Sequence, residues 1–254
     1  MSRGCLPLLL LAALALPSAA GVDLDGDDYY MGLGTPINGY PHTLECWVNA
    51  NSLPAGGSSL VSCADKDSAA NYTHLALDST GRVYAQTTSA VAYSTTTLSV
   101  GSWHHACAVQ VSNTDHRAFL DGAGKGTSVT NQALAPGIDR VGIGALVRSS
   151  IGIICNAKVA LAIIRSVALS DEEVVASMRS PFGVRPASIV FICLLDVHDP
   201  AGPLDIVGGL RLSSVVGDPV TVETPPRPRQ EPQQSYYLDL RHPDLFDEEV
   251  FRAA

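Results

Sequence analysis

The sequence predicts an all-β fold, an antiparallel sandwich with one short helix. Three observations carry that prediction. Glycine (22) and proline (16) are plentiful while charged residues make up only 16% of the 254, a mixture that suits short strands joined by turns. Short runs recur in which every second residue is apolar, the period of a strand with two different faces. Turn signals separate these runs. A chain of this length buries a full core as one undivided sandwich.

The elements follow in order. Residues 1–20 form a leader in which Arg3 precedes an apolar run over 6–16, and Ser18-Ala19-Ala20 supplies small residues at a cleavage position. This is the layout of a secretory signal peptide, and so short a run does not span a bilayer. Leu44, Cys46 and Val48 alternate with Glu45 and Trp47, Leu75/Leu77 with His74/Ala76, and Val83/Ala85 with Tyr84/Gln86. Asp78-Ser79-Thr80-Gly81, between the last two runs, reads as a hairpin connection. Further strands are expected within 107–111, 117–120, 141–143 and 159–164, with Asp121-Gly122 as a turn. Ser170 and Glu173 form a capping box that starts the helix, and Val174, Val175 and Met178 give it an apolar stripe. Residues 223–234 turn to proline, arginine and glutamine, a linker composition. Residues 235–254 mix aromatics with acids and read as a flexible tail or a peptide that docks to a partner.

Six segments carry a family resemblance: Leu24-Asp25-Gly26-Asp27-Asp28-Tyr29-Tyr30, Leu44-Glu45-Cys46-Trp47-Val48, Gly101-Ser102-Trp103-His104-His105-Ala106, Ala118-Phe119-Leu120-Asp121-Gly122, Val141-Gly142-Ile143-Gly144 and Ala168-Leu169-Ser170-Asp171-Glu172-Glu173. In residues, order and spacing they resemble the laminin-G-like, concanavalin A-like lectin/glucanase domain, particularly the version found in phage and other virion proteins. The resemblance implies a jelly-roll sandwich with a short helix after its last long strand. It also implies that residues 188–222, with Asp205-Ile206-Val207-Gly208-Gly209, extend the same domain, so that the sandwich covers 21–222.

Function is less sharply marked. A formal charge of −9 disfavours nucleic-acid or anionic-membrane binding. Cys46, Cys63, Cys107, Cys155 and Cys193 are scattered and odd in number, which reads as reduced core thiols. They sit awkwardly beside a secretory leader. Glucanases of the resembling fold share a Glu-x-Asp-x-x-Glu strand that places carboxylates on one face, and this chain lacks it. No Gly-x-Ser-x-Gly elbow occurs either, so no enzyme is expected. His104-His105 reads as a strand start, since adjacent strand residues point to opposite faces. The resemblance makes calcium a candidate ligand, with Asp25, Asp27 and Asp28 as hard oxygen donors, against the alternative that these are turn residues. Trp47 with Glu45, and Tyr84 with Gln86, are the candidate ligand-binding residues, because an aromatic ring stacks on the apolar face of a sugar. Asn71-Tyr72-Thr73 is a glycosylation sequon. The expectation is a secreted, non-catalytic binding or adhesion module for carbohydrate or a protein surface. The alternative is a structural or decoration protein of a virion, and a glycan-cleaving enzyme is the weaker third.

Overall fold

The computed structural model describes residues 21–53, 55–195, 202–216 and 220–222. The leader, the linker and the acidic-aromatic tail lie outside the described residues.

The chain opens with β1 (Gly21–Asp25), β2 (Tyr29–Leu33), β3 (His42–Ala50), β4 (Ser58–Ala64), β5 (Tyr72–Leu77), β6 (Arg82–Thr87) and β7 (Ala90–Thr97). It continues through β8 (His104–Ser112), β9 (Asp115–Leu120), β10 (Ala123–Ser128), β11 (Arg140–Ile143), the short pair β12 (Leu146–Val147) and β13 (Ile151–Gly152), and β14 (Asn156–Arg165). Helix α1 (Asp171–Arg179), β15 (Ile189–Cys193), β16 (Ser213–Val216) and β17 (Val220–Val222) complete the described order. Every pairing is antiparallel.

One sheet runs β10-β9-β8-β3-β14-β1-β17, with β15 also on β14; the other runs β16-β2-β11-β4-β5-β6-β7. Their facing sides make the core. Leu44, Cys46 and Val48 of β3 belong to one buried cluster with Leu75 and Leu77 of β5 and Val83 and Ala85 of β6. The alternation in the sequence put these residues on one face, and the two-residue period is why. Residues 189–193 extend the first sheet, with Ile163 opposite Ile192. All five cysteines outside the leader are free and buried, and burial pushes each thiol up from its ordinary value.

The outer face of the first sheet departs from a half-exposed strand pattern. Helix α1 and the segment before it cover this face, and Cys107, Val109 and Phe119 pack with Leu169 and Val174. Eight of the nine residues of β3 are buried as a result. The helix starts as its sequence dictates, with the Ser170 hydroxyl accepting from the Glu173 N–H and the Glu173 carboxylate accepting from the Ser170 N–H.

Candidate functional site

Structure separates the predicted ligand residues into two groups. Glu45 and Trp47 project from β3 on the outside of one sheet, while Tyr84 and Gln86 project from β6 on the outside of the other. The core lies between, so the four residues cannot line one site.

Glu45 is not a surface group. It is 1% exposed, and its Oε1 accepts from Arg165 Nε at 2.7 Å. Arg165 is itself fully buried and donates to the Val184 and Pro181 carbonyls and the Ser177 hydroxyl, which ties α1 and the following turns to the sheet. His105 Nε2 stands 3.4 Å from Glu45 Oε2. Burial pushes the Glu45 carboxyl up, but His105 and Arg165 outweigh it and hold the group below the usual carboxylate range. Glu45 is thus an internal anchor and does not reach the surface where a ligand would meet it. Trp47 is partly exposed and meets the His105 ring edge-on at 5.7 Å.

On the second sheet, four rings from three neighbouring strands form a row. Tyr72 and His74 (β5), Tyr84 (β6) and Tyr93 (β7) follow one another at centroid separations of 5.6, 5.4 and 5.5 Å. An arginine stands over each end: Arg148 lies 5.4 Å from the Tyr72 ring and Arg82 lies 4.4 Å from the Tyr93 ring. Arg82 is held in place by Asp78, which accepts from its Nε at 2.8 Å. The row is layered. His74 is fully buried, Tyr72 and Tyr84 are each 7% exposed, and Tyr93 is 40% exposed. Tyr93 is therefore the ring that meets solvent, backed by Tyr84 and the groups beneath.

Hydrogen bonds fix the buried part of the row. The Gln86 amide nitrogen donates to the Thr88 carbonyl at 2.6 Å, which turns its Oε1 toward His74. His74 Nε2 then donates to that oxygen at 3.0 Å, and its Nδ1 accepts from the Ser59 hydroxyl at 3.1 Å. The ring is held neutral, with burial lowering it to about 4. Gln86 serves as a brace for Tyr72 and His74 as well as lining the outer face.

Sequence reasoning missed Tyr93 because it missed β7. The signal was present in Val91-Ala92-Tyr93-Ser94-Thr95-Thr96-Thr97, rich in β-branched residues and carrying alanines at the inward positions 90 and 92.

The other predicted positions stand apart. Asp25 accepts from the Asp27 N–H at 3.1 Å, the turn chemistry of an aspartate bonding its own backbone, and Asp28 is buried. Among the described residues no three His, Cys, Asp or Glu side chains converge as a metal site. Asn71 is 7% exposed, with its amide donating to the Pro136 carbonyl at 3.1 Å. That amide nitrogen, the atom to which a glycan would be joined, is engaged in this bond. Among the described residues no helix is long and apolar enough to cross a membrane.

Comparison with known proteins fits this architecture. A search of curated proteins found no match. Among solved structures, the chain is similar to a Bacteroides ovatus protein proposed to bind carbohydrate, at a TM-score of 0.61 and 13% identity over 80% of this chain. The chain spans 59% of that protein's length. It is also similar to the heptameric SAP-like pentraxin of Limulus polyphemus, at a TM-score of 0.52 and 13% identity, covering 62% of this chain and 81% of the pentraxin. These likenesses are of fold. A family model described as the concanavalin A-like lectin/glucanases superfamily matches residues 24–175. With more than half of its length so matched, and the two antiparallel sheets in place, the chain belongs to that superfamily.

Proposed function

We propose that the protein is a carbohydrate-binding module that does not cleave glycosidic bonds. The observation that carries this reading is Tyr93, an aromatic ring 40% exposed on a sheet face, backed by Tyr84 and with the Arg82 guanidinium over it. An aromatic surface stacks on the apolar face of a pyranose, and fixed polar groups beside it bond the hydroxyls. The carbohydrate binding proposed for the Bacteroides ovatus protein of like fold supports it.

Glycosidase chemistry needs two carboxyl groups that reach the substrate. Glu45 is locked to Arg165 beneath α1 and reaches none. The leader's signal-peptide layout supports action outside the cell.

Presenting the full chain to a broad glycan array tests the reading. Selective binding by folded protein is expected, and a blank array with folded protein would overturn it.

A further inference from the structure

A second cluster of side chains stands just beyond the C-terminal end of β7, where the β7–β8 turn meets the turn after β9. Ser99 lies in the turn between β7 and β8, His104 is the first residue of β8, and Asp121 lies in the turn after β9. The Ser99 Oγ is 3.0 Å from His104 Nε2, and His104 Nδ1 is 2.7 Å from Asp121 Oδ2.

The protonation pattern follows from the partners. The Ser99 backbone N–H also points at Nε2, at 3.1 Å, and a backbone N–H only donates. Nε2 is therefore an acceptor, Nδ1 carries the proton, and Nδ1–H donates to Asp121. That is the tautomer a serine nucleophile requires of its base. Asp121 is itself oriented, since its Oδ1 accepts from the His105 N–H at 2.8 Å and its backbone is held at φ +54°. The residue after the serine, Val100, is 49% exposed, and among the described residues its N–H has no acceptor. An N–H at that position is where an oxyanion donor stands in serine hydrolases.

We propose that Ser99, His104 and Asp121 form an acyl-transfer centre acting on exposed carboxylic esters with a small acyl group. Ser99 Oγ bonds the acyl carbon as its proton passes to His104 Nε2, and the Val100 N–H is the donor assigned to the developing oxyanion. The ester C–O bond breaks, and the leaving alcohol takes the proton from Nε2. Water then bonds the acyl carbon, giving its proton to Nε2; the acid is released and the proton returns to Ser99 Oγ. All three side chains reach the surface, with His104 16% and Asp121 45% exposed, which suits an ester displayed on a larger molecule. The site is separate from Tyr93 and does not rest on the carbohydrate reading. The sequence hid it because Asp121 comes from a different turn than Ser99 and His104 and meets them only through the pairing of β8 with β9.

The test uses the full chain and two probes, an alkyl fluorophosphonate and p-nitrophenyl acetate. The phosphonyl group should be found on Ser99 by peptide mass spectrometry. Ester hydrolysis should fall roughly 100-fold or more in Ser99→Ala and in Asp121→Asn. Ser99→Ala keeps the backbone N–H bond to Nε2 and so keeps the turn, which circular dichroism checks. A folded wild-type protein that carries no adduct on Ser99 would overturn the proposal. So would unchanged hydrolysis in Ser99→Ala.

Discussion

Arg165 reaches four partners from a fully buried position, and its pairing with Glu45 shows what one residue does for this fold. Removing one member of a buried pair leaves the other charge uncompensated. Glu45→Ala is expected to cost about 3–5 kcal/mol, read as a lower midpoint in urea denaturation; an unchanged midpoint would show that the pair is not needed. Gly126 is constrained by close approach instead. A Cβ there would lie 1.5 Å from the Tyr93 carbonyl oxygen, where β10 crosses β7. Gly126→Ala should destabilise by about 1–3 kcal/mol through overpacking and displace the strand that carries Tyr93. Two histidines set an acid limit. Burial lowers both His42 and His74 from 6.5 to about 4. The unfolded chain takes up these protons below about pH 6.5, while the folded chain resists until about pH 4. Their share of stability is therefore full above that window and lost as the pH falls through it. The loss is about 1.4 kcal/mol per pH unit for each ring. Glu45, held below its usual range, adds a further loss at lower pH. A melting temperature that stays constant from pH 7 to pH 5 would contradict this account.

At the scale of elements, local chemistry was legible where a rule acts within a few residues. The capping box at Ser170 and Glu173 forms as its spacing dictates, and the Asp78 turn joins β5 to β6 with its carboxylate accepting from the Thr80 and Arg82 N–H groups. Ser170→Ala should lower stability by about 1 kcal/mol, measured by chemical denaturation, with little effect on the β signal in circular dichroism. Long-range consequences were not legible. Nothing in the run Leu44-Glu45-Cys46-Trp47-Val48 says that α1 will cover Glu45, because the covering residues follow about 120 positions later, as the Arg165–Glu45 bond does. The same limit hid the ring row, whose members come from β5, β6 and β7 and meet only through cross-strand register. Tyr84 was found by alternation, yet its neighbours decide that it is packed and that Tyr93 meets solvent.

For the whole molecule, two antiparallel sheets close over one core and turn different outer faces to the surroundings. One is covered by α1 and its buried ion pair; the other carries the ring row with its exposed edge at Tyr93. The binding proposed for this second face rests on the Tyr93 ring and not on the Asp25 turn. Adding a chelator should leave glycan affinity unchanged. The most direct test of the binding account is a calorimetric titration of the strongest array glycan against wild type, Tyr93→Ala and Trp47→Ala. Affinity should fall about tenfold or more in Tyr93→Ala, the scale of a lost aromatic contact, and stay near wild type in Trp47→Ala. Full affinity in a folded Tyr93→Ala protein would contradict the assignment of this face.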